Sequence, residues 1–406
     1  MSSIARASTV YLTNVRIPQV TGLQCLKFEQ GRVAEILPAH AIGPNQDSVI
    51  DGQEDWISLG GVDLQINGAL GLAFPEVTPA NRTEIKAIGE FLWKSGVDAY
   101  LPTIVTCAPQ QVQTSLQTFA DLLPPGTHEA EVWGLHLEGP FLNPEKRGAH
   151  PREHLQPLTV DRVKQLLGDY ASLVKLVTLA PELDPTGKSI DYLQSLGIIV
   201  SLGHSQATAQ QAQQAFDRGA TMVTHAFNAM PSLHHREPGL LGQAIVDDRV
   251  SCGFIADGQH VSPLMLNLLL RASQGKGLFV VSDALAPLGL PDGDYPWDER
   301  TITVTQGTAR LPDGTLSGTT RGLLEGAKNL VNWGLCDLEQ SITLSTITPR
   351  LALTPHTKEA TSDHCHPTLL QAPIHALLRW RSSRTSSDMF DVSVDRLNEV
   401  FIQTQD

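Results

Sequence analysis

The sequence predicts an α/β fold: a parallel (β/α)8 barrel with a small β-sandwich domain built from the chain's two flanking segments. Three observations predict it. Eight short apolar runs alternate with longer amphipathic stretches between about residues 60 and 285. Polar groups able to bind a metal or move a proton recur at the ends of those runs. The flanks switch to a two-residue alternation punctuated by Gly and Asp turns. A single barrel takes about 250 residues, so a chain of 406 has room for one and a smaller unit beside it.

In chain order, residues 1–58 read as the N-terminal part of the small β domain, with strand candidates TVYLTNVRI, LQCLKF, RVAEILP and SVID. The barrel is expected over 59–350. Its strand candidates are VDLQI, DAYLPTIV, VWGLHLE, LVKLVTLA, IIVSLGH, TMVTHAF, VSCGFIAD and LFVVSDA. Helix-like segments such as RTEIKAIGEFLWKSG, QVQTSLQTFADLL, TAQQAQQAFDRG and PLMLNLLLRASQG lie between them, several closed by Gly in the C-cap manner. The same units could wind into an open sheet, and the count of eight favours closure. An insertion at about 300–318, TITVTQGTARLPDGTLSG, reads as a hairpin with an Asp-Gly turn. Residues 351–406 supply the C-terminal part of the small domain. Within them TPHTKEATSDHCHPTLLQAP has no clear periodicity, and its three histidines and one cysteine fit no zinc-finger spacing.

Composition narrows the functions. A formal net charge of −14 weighs against nucleic acid or an anionic membrane as the main partner, because both reward a basic surface. An anionic small ligand would need a locally positive pocket. No run approaches the roughly 18 apolar residues of a membrane helix and the N-terminus lacks a signal-peptide core, so the expected location is the cytoplasm. Five scattered cysteines form no paired motif and read as free thiols.

A barrel carries its active site at the C-terminal ends of its strands. Gln65 and Asn67 end the first run, His136 and Glu138 the third, His204 the fifth and His225 the sixth; Asp257 and His260 follow the seventh, and Asp283 ends the eighth. A lone histidine at a strand end is usually structural, whereas several converging on one barrel mouth point to a site. Glu138, His204 and His225 would give a divalent metal such as zinc one carboxylate and two imidazoles, with one position left for water, whose pKa falls to roughly 7 on such a cation. Asp283, on the strand that closes beside the first, is placed to take the water's proton. Gln65 and Asn67, two apart on a strand, share one side.

Six stretches then occur in order: LHLEGPF (135–141), GHSQAT (203–208), THAFNAMP (224–231), REPG (236–239), ADGQHV (256–261) and SDALAP (282–287). Together they resemble the N-acetylglucosamine-6-phosphate deacetylase family of the amidohydrolase superfamily, over about residues 58 to 350. The resemblance implies metal-dependent hydrolysis of the N-acetyl group of the sugar phosphate. It implies Glu138, His204 and His225 as metal ligands, Asp283 as catalytic acid and base, and His260 as the group that orients the acetyl carbonyl. Asn228 and Ala229 would offer their backbone to the sugar phosphate. Arg236 would reach the phosphate in the neighbouring subunit of a homodimer. His150 and the GTLSG residues Leu316, Ser317 and Gly318 would contact the sugar. Members with Gln-x-Asn on the first strand bind one metal where others carry His-x-His and bind two. Carboxamides are weak ligands, so Gln65 and Asn67 are expected to hydrogen-bond the attacking water or the ligand. His136 is expected to support the site from behind. The segment after PRLAL departs from the family, lacking its short glycine-containing turn and Ala-Asp-led strand. Two other readings stand beside this one: a cyclic amidase or deaminase of the same superfamily, and a sugar-phosphate binding protein without turnover.

Overall fold

The computed structural model describes residues 9–42, 48–122, 124–354, 369–384 and 390–397. All eight expected runs form parallel strands: β1 (Gly61–Ile66), β2 (Val97–Val105), β3 (Leu135–Glu138), β4 (Val174–Leu179), β5 (Ile199–Leu202), β6 (Met222–Val223), β7 (Ser251–Ile255) and β8 (Leu278–Val281). Each pairs with the next in sequence order. The seam between β8 and β1 closes just beyond the strands. There the Asp283 N–H donates to the Gln65 carbonyl (2.9 Å) and the Asn67 N–H to the Ala284 carbonyl (2.7 Å).

Helices α1 (Arg82–Lys94), α2 (Pro109–Ala120), α3 (Val160–Leu167), α4 (Lys188–Ser195), α5 (Ala209–Asp217), α6 (Gly239–Ile245) and α7 (Pro263–Ala272) connect successive strands, and α8 (Leu323–Asn332) follows the last. Their local causes are legible. In α1 the residues Ile85, Ile88 and Leu92, at spacings of three and four, form the buried stripe. The Thr208 hydroxyl caps α5 by accepting from the Gln211 N–H, and the Gln211 amide oxygen accepts the Thr208 N–H in return. Burying Phe216 from α5 contributes about 1.5–3 kcal/mol by removal of its ring from water.

The barrel interior is layered. Its floor is apolar: Leu64, Leu101, Leu176, Met222, Ile255 and Phe279 cluster with Ala352 and Leu353, which plug it from the chain that follows the barrel. Above the floor lies a polar girdle. The His136 ring joins the Thr103 hydroxyl (3.2 Å) to that of Thr178 (2.7 Å), and the chain continues through Thr224 (2.7 Å) to Ser201 (2.6 Å). Burial pushes the His136 imidazole down to about 4, so at neutral pH it is an uncharged link between hydroxyls. The mouth carries the candidate functional residues. A shift of register between Asp63 and Ile66 allows β1 to send Leu64 to the floor and Gln65 to the mouth.

Two further β units flank the barrel. Val10–Val15, Gln24–Glu29, Arg32–Pro38 and Val49–Asp51 form one sheet; Trp56–Leu59, Leu377–Arg384 and Phe390–Arg396 form another. Leu12, Val15, Ile17, Leu26, Phe28, Val33 and Ile57 share a core with Leu369, Leu377 and Leu397, so both chain ends build the small domain. The Cys/His tract lies mostly outside the described residues, and the strand that pairs with Trp56–Leu59, Leu377–Arg384, comes after it. Arg396 anchors this unit to the barrel through Asp98 (2.7 Å), whose other carboxylate oxygen takes Arg350 (3.0 Å) and the Gly60 N–H (2.7 Å). The expected hairpin belongs to a four-stranded antiparallel sheet of Gly293–Trp297, Arg300–Thr305, Thr308–Arg310 and Leu316–Thr319. Asp313 and Gly314 lie in the connection before its last strand, which bridges to Ala284 at the barrel mouth.

Candidate active site

The residues that end β3, β5, β6 and β8 meet at the mouth. The His204 and His225 Nε2 atoms lie 2.9 Å apart, and each faces Glu138 Oε1, at 3.2 and 3.1 Å. All three side chains are buried. His204, His225 and Asp283 adopt left-handed backbone conformations (φ 49°, 30° and 49°), which turn their side chains inward as each strand ends. Such conformations cost about 1–3 kcal/mol each and cluster at functional sites.

With both rings neutral, the form in which an imidazole binds a metal, the cluster is short of protons. His204 Nδ1 lies 2.8 Å from the Lys146 carbonyl, which can only accept, so Nδ1 carries the hydrogen and Nε2 of the neutral ring presents a lone pair. Glu138 Oε1 is an acceptor as well. At most the single proton of His225 Nε2 stands between three converging donor atoms, and a cation satisfies all three. Tetrahedral zinc with bonds of about 2.0–2.2 Å places its ligands roughly 3.3–3.6 Å apart. The observed separations need to open by only a few tenths of an ångström. Burial pushes the Glu138 carboxyl up, but His204 and His225 outweigh it and hold the group well below the usual carboxylate range.

Asp283 stands beside this cluster. Its Oδ1 accepts from the Asn67 amide at 2.8 Å and the Gln65 amide at 3.1 Å, and Gln65 also donates to Glu138 Oε1 at 3.1 Å. The two amides, one on β1 and one just after it, therefore do share a side. They do not pair with each other: both grip the Asp283 carboxylate. Asn67 Oδ1 is buried without a hydrogen-bond partner. Burial raises Asp283 to about 6, with the Glu138 charge acting in the same direction. His260 Nδ1 donates to Asp257 Oδ2 (2.7 Å) and the His260 backbone N–H to Asp257 Oδ1 (2.9 Å), so the ring is fixed with Nε2 as its remaining polar atom.

A cleft of about 1010 Å³ opens over these groups. Asn67, Glu138, His150, His204, His225, Asn228, Ala229, His260, Asp283, Leu316, Ser317 and Gly318 all line it. Gly318 (φ 140°) has no room for a side chain, because a Cβ there would stand 2.8 Å from the Asp283 carbonyl oxygen. The Asn228 N–H donates to the His225 carbonyl (3.0 Å) and the Ala229 carbonyl accepts from the Ser205 N–H (3.1 Å), which fixes this turn. His150 is buried, 4.0 Å from Glu138 Oε2, with Nδ1 unpartnered. Arg236 does not line the cleft; it is exposed, with its guanidinium 2.7 Å from His235 Nε2. His136 lies one layer below the mouth.

Sequence reasoning missed the roles of Lys146, Arg147 and Arg300. Lys146 acts through its carbonyl, which leaves no mark in a sequence. Arg147 and Arg300 line the cleft and also bind loop carbonyls, contacts that only the folded chain brings together.

Comparison with known proteins places this chain in a family. The chain is 36% identical to N-acetylglucosamine-6-phosphate deacetylase from Homo sapiens, over 88% of this chain and 90% of that one. With the Bos taurus enzyme of the same name it shares 34% identity over the same fractions. The chain belongs to the N-acetylglucosamine-6-phosphate deacetylase family. No family model matches the chain. A solved deacetylase structure of this family, from Pasteurella multocida, superposes with a TM-score of 0.77 at 29% identity, covering 95% of this chain and 98% of that one. Residues of five of the six motifs line the cleft, REPG being the exception, and the amidohydrolase fold agrees with the metal-competent cluster. No helix among the described residues is long and apolar enough to cross a membrane.

Proposed function

We propose that this chain hydrolyses the N-acetyl group of N-acetyl-D-glucosamine 6-phosphate, giving D-glucosamine 6-phosphate and acetate in amino-sugar catabolism. The observation that carries the reading is the convergence of three lone-pair donors, Glu138, His204 and His225, beside a buried carboxylate gripped by Gln65 and Asn67. One zinc ion per subunit would be held by those three residues. Bound there, it would supply Lewis acidity, lowering the pKa of water and polarising the acetyl carbonyl.

The chain's own residues do the rest. Asp283, whose Oδ1 is held by the two amides, takes the proton of the attacking water on Oδ2. His260 donates from Nε2 to the oxygen on which negative charge develops, with the Asp257 carboxylate balancing the ring. An amine anion is too poor a leaving group, so Asp283 returns its proton to the nitrogen as the C–N bond breaks. Ala229, in the turn shaped by Asn228, meets the sugar phosphate with its backbone, while His150 and residues Leu316, Ser317 and Gly318 enclose the sugar. Arg236, exposed and outside its own cleft, serves the phosphate bound in the neighbouring subunit of a cytoplasmic homodimer. A guanidinium fork matches phosphate oxygens.

Acetate release from N-acetylglucosamine with and without the 6-phosphate tests the reading. A kcat/KM at least 100-fold higher for the phosphorylated sugar, abolished by chelation and restored by zinc, is expected. Equal values for the two sugars would remove the phosphate clamp, and full activity after rigorous chelation would remove the metal.

A further inference from the structure

The loop between β3 and α3 is tied to two places at once. At one end the Lys146 carbonyl accepts from His204 Nδ1 (2.8 Å) and so sets that ring's tautomer. Gly148, with φ 56°, lies against the same ring: a Cβ on it would stand 3.5 Å from His204 Cε1. The His150 ring meets that of His204 at 4.5 Å between centroids. Lys146 and His150 therefore both touch one imidazole, and Gly148 between them faces it.

The other attachment is to the antiparallel sheet of residues 293–319. Arg300 donates from Nη2 to the Ala149 carbonyl at 2.9 Å. The Ala149 methyl is buried in that sheet's own small core, with Leu285, Ile302, Val304, Ala309 and Leu311. Arg300 is itself constrained: Asp298 takes its Nε at 2.9 Å, and its guanidinium lies over Trp297, 5.1 Å from the ring centroid. A tight turn transmits the hold along the loop, since the His150 N–H donates to the Arg147 carbonyl (3.1 Å) and Arg147 Nη1 donates back to the His150 carbonyl (2.9 Å).

We infer that Arg300 is a positioning residue for the metal centre: by clamping Ala149 it holds the Lys146–His150 loop, which orients His204, so the inserted sheet sets the affinity for the ion. The inference rests on reading Glu138, His204 and His225 as the metal site. Groups that orient a ligating histidine from behind are worth 10- to 100-fold in metal affinity. Arg300 acts one hydrogen bond further away, and the lower end of that range applies.

The test is zinc affinity, measured on the full-length chain by competition with a chromogenic chelator, for Arg300→Ala, Arg300→Lys and Ile302→Val. Arg300→Ala is expected to bind zinc about 10-fold more weakly. Arg300→Lys, which keeps a donor within reach of the Ala149 carbonyl, should recover part of the loss. Ile302→Val trims the core in which Ala149 is buried but leaves the Arg300–Ala149 hydrogen bond in place, and should lower the melting temperature while leaving zinc affinity within twofold. His204→Ala is measured alongside: if it fails to weaken zinc binding, the metal-site reading itself falls. If His204→Ala abolishes binding but Arg300→Ala binds zinc as the parent does, the clamp is refuted and the site stands. Equal losses in Arg300→Ala and Ile302→Val would also refute it, by showing that sheet stability alone governs the affinity.

Discussion

Replacing Asp283 by Asn separates binding from proton transfer, and the geometry says how. Asp283 Oδ1 faces two amide donors, Asn67 at 2.8 Å and Gln65 at 3.1 Å. An asparagine cannot turn its own NH2 toward them without opposing donor to donor. Its carbonyl oxygen must stay there, and its NH2 occupies the place of the proton-accepting Oδ2. The left-handed φ of 49° is a conformation that Asn tolerates better than Ala does, and the backbone bond that closes the seam is unchanged. The variant should therefore fold and hold its metal, yet be unable to take the water's proton or return it to the amine. Each such transfer is worth about 10²–10⁴-fold. The loss in kcat should be at least ~10³-fold, or about 4 kcal/mol in the barrier. The assay is acetate release under saturating sugar phosphate, with zinc content and melting temperature measured on the same sample. A metal-loaded, folded Asp283→Asn within tenfold of the parent kcat would refute the role assigned to Asp283.

Four other outcomes are expected. Asp63, buried beneath the seam, accepts from the Ser282 N–H (3.1 Å) and the Gln65 N–H (3.3 Å) through Oδ1, and burial raises its carboxyl from 3.8 to about 7. A raised carboxyl holds its proton in the folded state, so stability is lost as pH climbs from about 4 to 7, by about 4 kcal/mol at most. Asp63→Asn keeps both hydrogen bonds and should melt higher than the parent at pH 8, with the gap closing near pH 4; a constant gap across that range would contradict the assignment. Arg236→Ala should lower kcat/KM for the phosphorylated sugar about 10- to 100-fold, the worth of one charged hydrogen-bonded pair. Mixed dimers of Arg236→Ala with Asp283→Asn should regain one working site if the arginine crosses between subunits, and none if it acts within its own. Metal analysis should give one zinc per chain; a ratio near two would overturn the single-ion reading drawn from Gln65 and Asn67.

The barrel was legible because burial on both faces writes each parallel strand as an apolar run, and each run ends where chemistry begins. Boundaries were less so. VWGLHLE contains two strands, because Gly134 at φ 133° breaks the run, and TMVTHAF contains only Met222–Val223, because His225 leaves the β region at φ 30°. Gly293–Trp297 gave no strand signal, since Pro296 argues against pairing and is tolerated at the edge position it occupies. The metal-competent cluster could be foreseen from residue types alone. What Gln65 and Asn67 hold could not: their target, Asp283, is more than two hundred positions away, and only closure of the barrel makes them neighbours. A separation of 151 positions likewise hid the pairing of Arg300 with Ala149.

Because the last cross-link of the cylinder runs through Asp283 and Gln65, the ring cannot be left ajar without pulling the proton carrier away from its partners. Completion of the fold and competence for chemistry are then a single event. During renaturation, turnover should return in step with the final stitching of first strand to last, and no earlier intermediate should hydrolyse anything.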